Sequence, residues 1–570
     1  MRYFALACDY DGTIAKRGIV DGDCLNALTR LKASGRKLIL VTGRELDELL
    51  LLFPEFPLFD RIVAENGAVL FRPETREEKL MGKRPPEEFV NALRKKGIAP
   101  LSVGRVIVAT WQPHETAVLG VIRDIGLELQ LIFNKGAVMV LPTGINKATG
   151  LKAALAELKL SPHNVVGIGD GENDHAFLEI CECSAAVANA VPVLKERVDY
   201  VAEGDHCAGV VELIDRLLHS DLQELEPKLE RHHLILGTAD SGETVFLKPY
   251  GENVLLAGTS GSGKSTLATL FLEELIRHGY QASIIDPEGD YTTMEQAIVL
   301  GASHIPPNIS EVLRLLEDPS QNIVVNMVGI GAHARPSFFE DFFLRLHELR
   351  TKTGRPHWII IDEAHHLLPA SRSPAVLVFL QGMSGIMFIT VHPEHVAPAA
   401  MSLVDVVVTV GESPEETLWA FRETSGLPVP IPGPVKLGPG EALFWPKRTG
   451  ADPIRFPVPL PTSERRRHRR KYATGELPPE RSFYFRGPQE KMNLQVQNLL
   501  LFIQMAEGVD DETWMHHLRQ GDYSRWFREA IKDEELASRA AEIEARRDLS
   551  PRESRDLMKA AIEELYTAPP

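Results

Sequence analysis

At 570 residues, with 44% apolar and 25% charged side chains, the chain has the composition of a folded globular protein of roughly three or four domains. A net charge of -17 excludes a chain that binds polyanions over its whole surface and leaves room only for a local basic patch. No apolar run reaches the ~18 residues of a membrane span, so no membrane partner is expected. The opening MRYFALACDYDGT is too short and too soon acidic for a signal peptide. The five cysteines, odd in number and irregular in spacing, do not suit a disulfide framework, and a cytoplasmic setting is expected. Cys181 and Cys183 form a lone C-x-C that reads as buried thiols rather than a metal site.

In chain order, Tyr3 to Cys8 is a short apolar strand ending in Asp9-Tyr10-Asp11-Gly12-Thr13. Lys37 to Val41 is a second strand, delivering Thr42-Gly43-Arg44, and Val165 to Ile168 a third, followed by GDGEND at residues 169 to 174. An α/β sheet carries its chemistry at the C-terminal ends of such strands. Asp170 and Asp174, four apart, can face one site at a helix start. Carboxylates converging there repel unless a cation joins them, and magnesium with oxygen ligands is the natural partner.

This pattern resembles the haloacid dehalogenase superfamily of phosphohydrolases. DYDGT matches its D-x-D-G-T motif, Thr42 its second motif, Lys147 its third and GDGEND its fourth. The resemblance implies that Asp9 is a nucleophile forming an aspartyl-phosphate and that Asp11 is the general acid/base. It implies that Thr42 and Lys147 bind the transferring phosphoryl group. Magnesium would be held by Asp9, Asp170 and the backbone carbonyl of Asp11, with Asp174 and Asn173 supporting it. The third motif departs from the usual Lys-Gly, reading Lys147-Ala148, which leaves Lys152 as a rival. Between Thr42 and Lys147 the pattern reads helix (Pro86 to Lys96), strand (Leu101 to Trp111), helix (His114 to Ile125) and two strands around Asn134-Lys135-Gly136. With Glu65-Asn66-Gly67, this resembles the small α/β cap of the Cof-like and phosphoglycolate-phosphatase-like branch, whose members act mostly on small phosphorylated metabolites. Arg105, Trp111 and His114 are the cap's candidate substrate contacts, against the ordinary reading of surface or core packing.

In mid-chain, the run Asn253 to Ala257 precedes GTSGSGKST (258 to 266), and a helical run follows from Leu267 to His278. That is the P-loop pattern between strand and helix. Gly258, Gly261, Ser262, Gly263, Lys264, Ser265 and Thr266 are its candidate ATP-binding residues, with Lys264 on the β/γ-phosphates and Ser265 on magnesium. Trp358 to Ile361 leads into Asp362-Glu363, a Walker B arrangement in which Asp362 holds magnesium and Glu363 polarises the attacking water. The stretch DPEGDY (286 to 291), beginning at Asp286, resembles the HerA/FtsK group of ring-forming translocases. Where that group places a sensor strand often ending in Thr-Gln-Arg-Pro, this chain has Thr390-Val391-His392-Pro393, leaving Thr390 or His392 to sense the γ-phosphate. Arg335, Arg345, Arg350 and Arg372 are open as a trans arginine. The missing Gln-Arg favours a switch over a motor. His365-His366 does not have zinc-helix spacing.

Pro428 to Pro461 is rich in proline and glycine and reads as a connection. Arg465 to Lys471 places six fixed positive charges in seven residues, a candidate nucleic-acid contact or a solvated linker. From Leu494 onward the text is helical, with Trp514, Tyr523, Trp526 and Phe527 as expected core and Pro551 to Tyr566 as a solvated or partner-facing amphipathic helix. The expected architecture is therefore α/β throughout most of the chain: a Rossmann-like phosphohydrolase domain (1–218, cap about 82–143), a P-loop α/β domain (219–446), a linker (447–480) and a helix-rich domain (481–570).

Two functions stay open. One is a magnesium-dependent phosphomonoesterase for a phosphorylated small molecule, joined to an ATPase. The other is a ring-forming, hexameric nucleic-acid ATPase whose phosphohydrolase domain trims phosphate ends. An ATP-gated scaffold is a third and weaker reading.

Overall fold

The structure is a computed structural model that describes residues 1–259, 261–370, 376–431, 433, 435–447, 452–461, 477, 482–488, 492–531 and 533–566. It divides into two compact units, Met1–Pro459 and Leu460–Pro570. The basic run Arg465–Lys471, Arg372 and most of the expected linker lie outside the described residues.

The first unit contains two large sheets. In the first, the strands lie in the order Tyr200–Val201, Cys183–Ala186, Val165–Gly169, Ala5–Cys8, Lys37–Val41, Arg61–Ala64, Val69–Arg72 and Glu77–Leu80. The first six run parallel and the last two antiparallel. The central strands are apolar along their whole length because helices cover both faces, and Ala5–Cys8 is buried at every position. Ala5–Cys8 sits between Val165–Gly169 and Lys37–Val41, so the three motif-bearing strands are neighbours and their C-terminal ends meet. All five cysteines are free and buried.

A separate four-stranded antiparallel sheet, ordered Ser102–Val103, Val108–Trp111, Ala137–Pro142 and Leu129–Asn134, carries helices Glu87–Lys95 and Glu115–Ile125. This is the expected cap, with one difference. The single strand expected over Leu101 to Trp111 is a hairpin that turns at Gly104 to Ile107. The cause lies elsewhere in the chain. Buried Glu65 accepts the backbone N–H groups of Arg105 (2.9 Å), Val106 (2.8 Å) and Ile107 (3.0 Å), which ties the turn to the parallel sheet.

Gly67, in the tight turn Glu65–Gly67, has φ +103°, and a Cβ there would lie 1.9 Å from the Asn146 carbonyl at the start of the Lys147 helix. Gly67→Ala is expected to cost roughly 2–4 kcal/mol through backbone strain and overpacking. A urea unfolding midpoint measured beside wild type checks it, and an unchanged midpoint would contradict the packing described.

The second sheet has nine strands in the order Ile298–Leu300, Ile323–Asn326, Ala282–Asp286, Trp358–Ile361, Ile386–Thr390, Val254–Gly258, Val406–Val410, Glu441–Pro446 and Ile454–Pro457. The first seven are parallel, and the final pair closes one edge antiparallel. The edge strand Ile454–Pro457 falls inside the stretch expected to be linker. Its proline, Pro457, suits an edge position, where a ladder donor is dispensable.

In the second unit, Phe483–Phe485 pairs with Leu494–Val496, so the helical text begins at Leu499 rather than Leu494. Helices Leu499–Gly508, Asp511–Gln520, Glu534–Ala545 and Pro551–Tyr566 enclose an aromatic core that includes Phe485, Phe502, Trp514, Tyr523 and Phe527. The last helix is part of that core, burying Met558, Ile562 and Tyr566, with Ser554 accepting from Trp514 Nε1 (2.9 Å). His517 is also structural: Nδ1 faces Asp522 (2.7 Å) and Nε2 accepts from the Arg486 backbone (3.1 Å).

Candidate active sites

At the C-terminal ends of the first sheet's central strands, Asp9, Asp170 and Asp174 bring carboxylate oxygens within 4.8 Å of one another. Lys147, 1% exposed, bridges Asp9 and Asp174 at 2.5 Å each. Burial alone would lower the Lys147 ammonium. The carboxylates of Asp174 and Asp9 outweigh that and hold it charged. Asp9 is pushed upward by its burial and by Asp174, with Lys147 opposing. The other Asp174 oxygen accepts the N–H groups of Asp170 and Gly171, both at 2.8 Å. Asp174 therefore spends both oxygens on holding Lys147 and the loop. Thr42 is buried, and its hydroxyl accepts the Arg44 N–H (3.2 Å). Asn173 donates to Asn66 (2.9 Å). Lys152, the rival lysine, is exposed one turn along the helix.

Asp11 is turned toward solvent and gripped by Arg44, whose Nε and Nη2 lie 2.5 and 2.7 Å from its two oxygens. The glycine that follows has a physical reason: a Cβ on Gly12 would fall 1.9 Å from an Asp170 oxygen. The Gly12 carbonyl is fixed by Asn189 (2.8 Å) and contacts His206 Nδ1 (2.9 Å). From the cap, Lys135 forms an ion pair with Asp170. Asp170 is raised by burial, with Lys135 working against the shift. Arg44, Lys135, Asn189 and Glu65 were not singled out as site residues. Their partners are far away in sequence; Thr42-Gly43-Arg44, Glu65-Asn66-Gly67 and the cap's Asn134-Lys135-Gly136 turn flag three of them, and no motif flags Asn189.

Above the carboxylates lies a cavity of about 440 Å³ between sheet and cap, lined among others by Asp9, Asp11, Thr42, Arg44, Trp111 and Lys135. Trp111 is half exposed in its wall. Arg105 is instead held by Asp47 and Glu78, and His114 Nε2 faces the Ala99 carbonyl. The donors around Asp9 and Asp170 are all oxygens and include two buried carboxylates, which suits a hard divalent cation such as magnesium.

In the second sheet, the P-loop joins Val254–Gly258 to helix Lys264–Arg277. Gly258, Gly261 and Gly263 all have positive φ. Lys264 Nζ donates back to the carbonyls of Gly258 (3.0 Å) and Thr259 (2.9 Å), and Ser262 Oγ donates to the latter (2.7 Å). Ser265, exposed, and Thr266, half-buried, open the helix. Burial lowers the Lys264 ammonium while Glu363 and Asp362 oppose it. Asp362 is pushed up to about 8 by burial and by Glu363 beside it, a carboxylate in want of a cation. Glu363 sits at φ 44°, a strained conformation for this residue, and its buried Oε2 makes no hydrogen bond, with His365 Nδ1 the nearby polar group at 3.3 Å.

Strand Ile386–Thr390 separates the P-loop strand from the Trp358–Ile361 strand and places Thr390 opposite Ala257. Thr390 is fully buried, meeting His365 Nδ1 (3.0 Å) and the His392 N–H (3.0 Å), whereas the His392 ring is half exposed beside Glu394 (3.0 Å). Asp286 accepts three N–H groups, from Gly289 (2.6 Å), Asp290 (3.1 Å) and Tyr291 (3.0 Å), so it shapes the DPEGDY loop. Arg350 is half-buried and donates to the carbonyls of His357 (2.9 Å) and Ser384 (2.5 Å), which withdraws it as a trans arginine. Arg345 pairs with Asp341 and Arg335 with the Ile330 carbonyl.

The family model for haloacid dehalogenase-like hydrolases matches residues 6–105 and 130–214, and that for the central domain of helicase HerA matches residues 251–335. The chain is similar to a phosphoglycolate phosphatase of Methanothermobacter thermautotrophicus, 30% identical over 223 residues, which are 38% of this chain and 98% of that protein. It is also similar to phosphoglycolate phosphatase 2 of Saccharolobus solfataricus, 28% identical over 37% of this chain and 91% of that protein. Among solved structures, a haloacid dehalogenase-like hydrolase from Bacteroides thetaiotaomicron aligns at 19% identity and TM-score 0.34, covering 38% of this chain and 99% of that one. No helix among the described residues is long and apolar enough to cross a membrane. The carboxylate cluster, its cap and the P-loop sheet beyond them thus fall to two matched families, and the chain belongs to the haloacid dehalogenase-like hydrolases, with a HerA-type central domain joined behind the hydrolase domain.

Proposed function

We propose that the chain is a magnesium-dependent phosphomonoesterase for small phosphorylated metabolites, joined in one polypeptide to an ATP-hydrolysing domain. The observation that carries this reading is the convergence of buried Asp170, Asp174 and Lys147 on Asp9, which lines a capped cavity. Asp9 and Asp170, with the Asp11 carbonyl, would hold magnesium, which when bound neutralises charge between a carboxylate and a phosphate dianion. Asp9 forms an oxygen–phosphorus bond as the ester oxygen leaves. Asp11 gives that oxygen a proton, then takes one from the water that attacks phosphorus and frees Asp9 and inorganic phosphate. Lys147 and Thr42 hold the phosphoryl oxygens, and the cap excludes bulk water. The relatives named phosphoglycolate phosphatase support a small acid ester. So does the cavity, whose wall carries Arg44 and Lys135 for a second anionic group.

Asp11→Asn tests the acid role. The loss is expected to be about 10²–10⁴-fold with phosphoglycolate and markedly smaller with p-nitrophenyl phosphate, whose leaving group needs no proton. The comparison is made on the first step, by single-turnover release of glycolate or p-nitrophenol before the water step that both substrates share, and equal losses there would sink that role. Trp111→Ala, at the cavity wall, is expected to raise KM several-fold while kcat stays within about twofold, because it removes uniform binding only. Steady-state kinetics on phosphoglycolate checks this.

In the second domain, Lys264 and Ser265 would bind the nucleotide phosphates and magnesium, Asp362 the metal, and Glu363 the attacking water. Thr390, fixed beside the P-loop strand, is better placed than His392 to sense the γ-phosphate. The HerA match favours a second reading, a hexameric nucleic-acid ATPase in the cytoplasm, reached by DNA through Arg465–Lys471. It predicts ATP hydrolysis stimulated by DNA in a salt-dependent way. A monomer whose ATPase rate ignores DNA would contradict it.

A further inference from the structure

Within the first unit, the hydrolase lobe and the P-loop lobe meet over a buried group of side chains that neither active site uses. His163 precedes strand Val165–Gly169, Glu182 precedes Cys183–Ala186, and His232 lies on the connector between the lobes. From the P-loop lobe come the His278 carbonyl, just past helix Lys264–Arg277, and Tyr280. Ligand atoms of His163, Glu182 and His232 lie within 4.8 Å of one another, and all three residues are buried.

The hydrogen bonds orient the His163 ring and the Glu182 carboxylate toward one shared point. His163 Nε2 lies 2.6 Å from the His278 carbonyl, an acceptor only, so that nitrogen carries the hydrogen. Its Nδ1 lies 2.7 Å from Glu182 Oε2, donating to it while protonated and freeing a lone pair for a cation once that proton is displaced. An imidazole whose other N–H is fixed by a backbone carbonyl is the usual arrangement of a metal-binding histidine. Arg2 Nη2 holds Glu182 Oε1 at 2.6 Å, leaving Oε2 for the shared point, and Glu226 lies 3.3 Å from Arg2 to balance its charge. Tyr280 Oη donates to the same Oε2 at 2.9 Å and offers a fourth oxygen. A proton on His163 Nδ1 would satisfy that pair alone. It would leave His232 unexplained: the residue is 8% exposed, its Nε2 is 3.9 Å from Glu182 Oε2, and that nitrogen has no hydrogen-bond partner. Burial also holds the His232 imidazole down to about 4, neutral and able to ligate at neutral pH.

We propose that His163, Glu182 and His232 form a binding site for a borderline transition metal, best suited to zinc, that staples the hydrolase lobe and the connector to the P-loop lobe. Two imidazoles and one carboxylate, with Tyr280 or water as the fourth donor, are the nitrogen-and-oxygen donor set that zinc takes, whereas the oxygen-only cluster at Asp9 suits magnesium. No step of either catalytic reading depends on this site.

The test uses the full chain, stripped with chelator, re-equilibrated with zinc in excess magnesium, dialysed, and assayed for bound zinc by mass spectrometry. Cobalt(II) substitution is read by visible absorption. Wild type is expected to retain about one zinc per chain more than His232→Ala, and to show tetrahedral cobalt bands that His232→Ala loses and His232→Cys restores. His395→Ala, in the exposed His392/Glu394/His395 group, controls for surface binding and should match wild type at the buried site. Zinc should also raise the thermal midpoint of wild type but not of His232→Ala. Wild type that retains no zinc, or equal retention by wild type and His232→Ala, overturns the proposal. The wild-type measurement decides even where a variant fails to fold.

Discussion

Replacing Asp9 by Asn is expected to abolish phosphomonoester hydrolysis, lowering kcat by on the order of 10³–10⁶. The amide is isosteric with the carboxylate, so the effect isolates charge and nucleophilicity from packing. Lys147 keeps Asp174 as a counter-ion at 2.5 Å, so the site floor should stay assembled. Two measurements frame the result. Circular dichroism and the thermal midpoint should remain close to wild type, whereas phosphate release from phosphoglycolate or p-nitrophenyl phosphate should fall to background. Activity retained within about tenfold would mean that Asp9 is not the attacking group, since removal of a covalent nucleophile does not leave so much rate. The same variant should hydrolyse ATP at the wild-type rate, because none of the residues around Lys264 depends on Asp9.

The converse substitution falls on the P-loop. Lys264→Ala is expected to lower ATP turnover by at least about 10²-fold, the cost of removing one preorganised charge from a phosphoryl-transfer site. Glu363→Gln separates binding from chemistry. Its buried oxygen has no hydrogen-bond partner, and it stands beside Asp362 at the end of the Trp358–Ile361 strand. ATP should still bind, measured by fluorescent-nucleotide titration, while hydrolysis falls by about 10²–10⁴-fold. Lys264→Ala assayed without ATP should keep the phosphomonoesterase rate. A parallel collapse of both activities would show that the lobes work as one catalytic unit.

Much of the architecture could be read from local sequence because α/β domains put chemistry at strand ends. Asp9, Thr42, Asp170 and Lys264 each follow or adjoin a short apolar run, and those runs are the neighbouring parallel strands of the two sheets. The supports of these residues were not readable in the same way. The Arg44 grip on Asp11, the Lys135 pair with Asp170 and the Glu65 clasp of the cap turn each join segments that only tertiary folding brings together. The cap hairpin reads as one strand in sequence because its break is imposed by Glu65, some forty residues upstream, more than by its own composition. Strand Ile454–Pro457 reads as linker because proline is tolerated at a sheet edge and punished elsewhere. The group at His163, Glu182 and His232 is invisible without the docking of one lobe on the other, since no motif spacing links its members.

On the function proposed, small phosphorylated metabolites rather than nucleic-acid ends meet Asp9 beneath the cap. The most direct test is phosphate release by the purified full chain with magnesium. Phosphoglycolate and a panel of small phosphomonoesters would be compared with 5′- and 3′-phosphorylated oligonucleotides, with and without ATP, beside Asp9→Asn. The account predicts turnover of one or more small esters that vanishes in Asp9→Asn, and little or no release from oligonucleotides, which a cavity of about 440 Å³ cannot enclose. Preferential release from oligonucleotide ends, or release from small esters that survives Asp9→Asn, would contradict it.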